Sequence, residues 1–204
     1  MFPKEPMRHP VGERFIYNNQ GFVVLALAIE SITGKPYTDV INYDLLKPLG
    51  ITKSGIFNIR KRPEHTANGY IKTTDGVMEN IGRVPDMSGG DGGTYITLHD
   101  MKRLYEVFFK GEIISLNLVM EFTSVQATIE EEKESTYGLG LWLEQKNDGP
   151  WIPTLYGGDA GISFTSSYHP QNKTFGFAVS NTSNGVWDII GAYKETFFDM
   201  ASGD

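Results

Sequence analysis

The segment Gln20–Thr33 constrains this chain more than any other. Leu25, Ile29 and Ile32 recur at helical spacing, and Val23, Val24, Ala26, Leu27 and Ala28 carry the apolar surface nearly all the way round. Such a helix has no polar face to offer water, so the spacing predicts burial on every side. Both ends are marked. Asn18 or Asn19 can accept a hydrogen bond from an otherwise unpaired N–H of the first turn, and Gly34 suits a left-handed stop. The other elements must therefore assemble around this one.

The same signals place further helices. One is predicted over Tyr37–Leu46, ending near Pro48-Leu49-Gly50. Residues 51–95 read as loop with short extended pieces, and Gly89-Gly90-Asp91-Gly92-Gly93 as a tight turn. Thr97 caps a helix over Leu98–Phe109, with Asp100 at the answering position and Gly111 at the end. Ser115 opens another that runs through Phe122. From Tyr137 the pattern changes to strands, predicted over Leu139–Leu143, Pro150–Tyr156, Ile162–Tyr168 and Thr174–Ser180. Asn147-Asp148-Gly149 and His169-Pro170-Gln171-Asn172 supply hairpin turns. Over Trp187–Met200, the residues Ile190, Tyr193 and Phe197 share one helical face. A mostly helical part, about 1–136, thus precedes an antiparallel meander closed by a helix, about 137–204, which is an α+β plan.

Charge and composition exclude several function classes. A net charge of −7 argues against binding a phosphate backbone, and the basic stretch Lys53, Arg60, Lys61, Arg62 reads as a solvated loop. The acidic cluster Glu130-Glu131-Glu132, Glu134 reads as a solvated face. Cysteine is absent, which rules out disulfides and thiolate metal sites. The apolar run Phe22–Ile29 falls far short of the roughly 20 residues of a membrane span. The Pro-rich opening, with Pro3, Pro6 and Pro10, has no apolar signal core, so either a cytoplasmic location or a cell-envelope one with its targeting segment outside this chain is expected.

Few side chains suggest chemistry by themselves. His9, His65, His99 and His169 are scattered, with no pair at the spacing that puts two ligands on one helix face, so no metal or other cofactor is expected. The glycine-rich turn before Thr97 lacks the ending of a phosphate loop, and no Gly-x-Ser-x-Gly elbow occurs. Tyr17-Asn18-Asn19 has a use at the mouth of the apolar helix. A phenol near an ammonium group can be held as phenolate and act as a base, and the amide of Asn19 can bind a substrate amide or orient a lysine. A tyrosine before a helix cap can equally be plain packing.

The surroundings of that tripeptide carry a resemblance. Pro10-Val11-Gly12 leads into Tyr17-Asn18-Asn19, the apolar helix follows, and it ends at Thr33-Gly34-Lys35. Then come Pro48-Leu49-Gly50-Ile51, Gly92-Gly93-Thr94, Thr97 with Asp100, Tyr137-Gly138-Leu139-Gly140-Leu141-Trp142, Tyr156-Gly157-Gly158-Asp159-Ala160-Gly161, and Asn181 after a strand. In this order, over nearly the whole chain, they resemble the penicillin-recognising serine hydrolases: class C β-lactamases, DD-peptidases and related esterases.

The resemblance implies a β-lactamase/transpeptidase-like fold, an antiparallel sheet with a mostly helical subdomain. It implies an acyl-enzyme mechanism on an amide or ester, with a small-molecule or peptide substrate. Tyr17 would be the general base or acid and Asn19 a substrate or lysine ligand. Tyr156, Gly157 and Gly158 would form the third motif, and Asp159 would lend its backbone N–H to the oxyanion. The chain departs from the pattern twice. It contains no Ser-x-x-Lys, the motif that supplies nucleophile and lysine and lies upstream of Tyr17 in the family. Tyr156 stands where lysine or histidine is usual. A truncated amino terminus, an inactive isolated chain and a homo-oligomer through an exposed sheet edge are therefore expected. The alternative is a non-catalytic relative that binds peptide or cell-wall-like ligands.

Overall fold

The computed structural model describes residues 6, 9–87, 89–129 and 135–202, so the acidic cluster and Pro3 lie outside the described residues. Helix α1 (Asn19–Thr33) is capped by Asn18, whose side chain accepts from Gly21 N, and stops at Gly34 with φ 67°. Helix α2 (Tyr37–Asp39) continues as Val40–Leu46 in a wider π-helical winding, so the predicted second helix is present in two geometries. Residues 51–95 hold more strand than predicted. Strand β1 (Gly55–Ile56) pairs with β4 (Thr94–Tyr95), and β2 (Tyr70–Thr73) forms a hairpin with β3 (Gly76–Glu79). Helix α3 (Leu98–Phe109) starts at Thr97, whose hydroxyl accepts from Asp100 N at 3.1 Å, and α4 (Leu116–Phe122) starts at Ser115.

Six strands then form one antiparallel sheet in the order β10-β9-β8-β7-β6-β5. They are β5 (Ala127–Thr128), β6 (Ser135–Tyr137), β7 (Trp142–Glu144), β8 (Ile152–Asp159), β9 (Ile162–His169) and β10 (Thr174–Ser180), followed by α5 (Ile190–Ser202). Alternation along β8 divides the core. Leu155 packs with Phe164, Phe175 and Phe177 against Met101, Tyr105 and Tyr168, which joins one sheet face to α3. Ile152, three residues away and on the other face, packs with Phe197 and Ala201 of α5. The face predicted for the last helix is therefore the one that meets the sheet.

Two expectations need correction. The predicted strand Leu139–Leu143 is mostly a turn. Gly138 N donates to Leu141 O at 2.9 Å, Gly140 has φ 82°, and the strand begins only at Trp142. Two glycines close together outweigh the alternation of Leu139 and Leu141, because a left-handed residue breaks the ladder. Second, α1 is not buried all round. Ala26 is its one buried residue, whereas Leu25 is 59% and Ile32 84% exposed. The covered side faces the glycine turn: a Cβ at Gly90 would lie 2.8 Å from Ala26 Cβ and 2.3 Å from Phe22 O. Among the described residues, nothing of comparable closeness covers the sides that carry Leu25 and Ile32.

A Cβ at Gly176 would stand 2.7 Å from Phe197 Cδ2 and 2.5 Å from the Tyr193 hydroxyl. Gly176→Ala should thus cost about 1–3 kcal/mol in urea unfolding by lifting α5, and an unchanged midpoint would show that α5 can slide. His169, 9% exposed, accepts from Asn172 N at 3.4 Å through Nδ1, and burial lowers its pKa from the usual histidine range. The unfolded chain therefore takes up this proton first. Stability should fall as pH drops from about 6.5 toward the lower folded value. His169→Gln should flatten that limb of the stability profile, and an unaltered limb would exonerate the residue.

Candidate functional site

Strand β8 is paired unequally on its two sides. With β9 its register runs from Thr154↔Ser167 to Asp159↔Ile162, whereas with β7 it covers only Ile152–Thr154. On the β7 side, Gly157–Asp159 therefore carries no strand among the described residues. An open strand edge of this kind can hydrogen-bond an extended ligand.

Aromatic rings line the face next to that edge. Trp142 lies opposite Thr154 and Tyr137 opposite Trp142, so these side chains share one face with Tyr156 and Gly158. Tyr17 stacks on Trp142 with ring centroids 5.8 Å apart, and Trp142 meets Tyr156 at 6.1 Å. Tyr156 in turn meets Trp187 at 6.1 Å, and a Cβ at Gly158 would sit 3.4 Å from the Trp187 ring. Tyr17, from the chain entering α1, and Tyr156, in the sheet, thus touch the same indole. Phe15 backs the row against Tyr137 at 4.9 Å. Tyr137 itself is pushed up to about 12, first by burial and then by the neighbouring Tyr17, and stays a neutral donor.

The other sequence-derived candidates are placed as follows. Asn19 is exposed at the first position of α1, and the capping bond belongs to Asn18. Gly157 faces away from the ring row, where a Cβ would meet Phe164 at 2.9 Å. Gly158 and Asp159 are exposed, and the Asp159 carboxylate accepts from Ala160 N at 2.7 Å.

Sequence reasoning missed a buried carboxylate behind the ring row. Glu144, 5% exposed, accepts the Tyr156 hydroxyl at 2.9 Å and the Ser135 hydroxyl at 3.1 Å on Oε1. Its Oε2 takes Lys194 Nζ from α5 at 2.8 Å. The same ammonium lies 5.5 Å from the centre of the Tyr156 ring. A buried carboxylate needs such partners, and here they hold the Tyr156 phenol as a donor turned toward Glu144. Nothing local marks Glu144 or Lys194, because they meet across |i−j| = 50. Trp142 did stand in the sequence pattern, as the last residue of the Tyr-Gly-Leu-Gly-Leu-Trp stretch. Among the described residues, no cluster of His, Asp or Glu is arranged to hold a metal, and no helix is long and apolar enough to cross a membrane.

Known proteins share this architecture. The crystal structure of a penicillin-binding protein from Bacillus halodurans superposes with a TM-score of 0.87 at 30% identity, covering 95% of this chain and 59% of that one. An octameric penicillin-binding protein homologue from Pyrococcus abyssi gives a TM-score of 0.72 at 26% identity, covering 84% and 40%. A penicillin-binding protein of Bacillus subtilis (strain 168) is 26% identical over 163 residues, 74% of this chain and 36% of that protein. The chain thus spans well under two thirds of the length of the relatives it matches. The Beta-lactamase family model matches residues 1–194. With that match over most of its length, the chain belongs to the β-lactamase family.

Proposed function

We propose that this chain supplies two walls of a serine acyl-transfer site, one bearing Tyr17 and one formed by the open edge of β8. The protein that carries it would hydrolyse an amide or ester through an acyl-enzyme. One observation carries the reading: Tyr17 and Tyr156 contact the same Trp142 ring beside a strand edge that β7 leaves open. In this reading Tyr17 moves the proton between nucleophile and leaving group, Asn19 contacts the substrate or a lysine, and the Asp159 N–H stabilises the oxyanion. Gly158 lets the substrate backbone approach the strand on the ring-row side, while Gly157 leaves room for Phe164 behind it and keeps the strand in place. Tyr156 contributes an aromatic wall and not a cation, since its hydroxyl is committed to Glu144. That favours substrates that do not depend on a carboxylate anchor at this point. The nucleophile and its lysine are not in this sequence, and the isolated chain is inactive on this account.

The test is direct. Purified chain should not turn over nitrocefin or a p-nitrophenyl ester, whereas the protein joined to a family segment bearing Ser-x-x-Lys should. In that joined protein, Tyr17→Phe should lower kcat by about 10²–10⁴-fold, the usual worth of a general acid or base. Robust turnover by the isolated chain, lost on changing one of its own serines, would overturn the reading. The second reading, a non-catalytic binder of peptide or cell-wall-like ligands, draws on the same Tyr156–Glu144 bond. It prevails if the joined protein binds but never acylates.

Self-association belongs to the same proposal. Strand β10 ends the sheet, and its residues Thr174–Ser180 include neither charge nor proline to discourage pairing. Light scattering of the isolated chain should show a dimer or larger species. A stable monomer at high concentration would count against it.

A further inference from the structure

We propose that Asn80, just after β3, is a positioning residue that fixes the turn from Asp159 to Gly161 between β8 and β9. Asn80 is 1% exposed and lies far from that turn in sequence. Its backbone N donates to Gly69 O at 3.0 Å, which seats it at the base of the β2–β3 hairpin. Its side-chain Nδ2 donates to Ala160 O at 3.0 Å. That carbonyl can only accept, so the nitrogen end of the amide must face it. The other end, Oδ1, is buried with no hydrogen-bond partner among the described residues. A buried amide with one end unsatisfied is costly, and an apolar residue of similar shape would avoid that cost. What Asn80 contributes in return is the bond to Ala160.

The surroundings are built for this approach. A Cβ at Gly69 would stand 2.5 Å from Asn80 Nδ2 and 2.8 Å from Gly161 O. Gly161 has φ 78°, and a Cβ there would meet Tyr70 N at 2.7 Å. Tyr70 N donates to Gly161 O at 3.3 Å and to Asn181 O at 2.9 Å, while Gly161 N donates to Ser183 Oγ at 2.8 Å. The turn is thus gripped by the hairpin on one side and by the segment after β10 on the other. With its carbonyl held by Asn80 and its N–H by the Asp159 carboxylate, Ala160 is fixed through both of its flanking peptide units, Asp159–Ala160 and Ala160–Gly161. The catalytic meaning of this rests on the reading of Asp159 N–H as oxyanion donor. The positioning itself does not.

Residue-resolved amide hydrogen exchange on this chain tests the inference. Asn80→Leu and Asn80→Asp each remove the donor to Ala160. They should speed exchange at Ala160, Gly161 and Ile162 by about tenfold or more, while amides of β10 and α3 keep their protection. Gly69→Ala, which displaces the amide without altering Asn80, should reproduce the pattern. Asn68→Ala, which removes an exposed bond to Glu79 on the same hairpin, should not. Unchanged exchange at the turn, or uniform acceleration through the molecule in all three variants, overturns the proposal. In the joined, acylating protein Asn80→Leu should lower kcat with KM little changed. A loosened turn with kcat intact would uphold the positioning role and retire Asp159 as oxyanion donor.

Discussion

Strand β8 is held along most of its length by β9 but for only three residues by β7, and much of the molecule follows from that inequality. The start of the strand is held by β7, with Thr154 paired on both sides and Ile152 and Thr154 each 1% exposed. The second half keeps a fixed backbone from β9 while leaving its other edge open. A rigid strand with one open edge is a better platform for a ligand than a loop, because its donors and acceptors are oriented before anything binds. The short β7 is itself a consequence of the Gly138–Leu141 turn, which consumes residues that could have lengthened the ladder.

Behind the open edge, charge is organised around Glu144. Its partners come from β6, β8 and α5, so one carboxylate ties together elements far apart in sequence. The Lys194 side chain is 39% exposed, so water screens the ion pair and its direct worth is about 1 kcal/mol or less. The structural effect is larger than that figure, since removing the partners would strand a buried carboxylate. The arrangement orients Tyr156 and anchors the terminal helix at one point.

Local signals made much of this legible in advance. Asn18, Thr97 and Ser115 each cap a helix by the same side-chain acceptor, and the last three strands lie within a few residues of their expected limits. Tyr17, Tyr156 and Gly158 could be named because they sit inside ordered motifs. What escaped was of two kinds. The apolar pattern of α1 states what that helix needs and not what is present to cover it, as the exposure of Leu25 and Ile32 shows. Glu144 meets Lys194 across 50 residues and Asn80 meets Ala160 across 80, and nothing in their immediate neighbours announces such pairings.

The row of rings has an optical consequence. Of the chain's three tryptophans, Trp142 and Trp187 stand on either side of Tyr156 beside the open strand, and Trp151 lies just before β8. Two of the three indoles therefore stand beside the open edge of β8. A ligand that settles against β8 displaces water from those indoles, so the native chain carries its own fluorescent reporter of occupancy with no label attached.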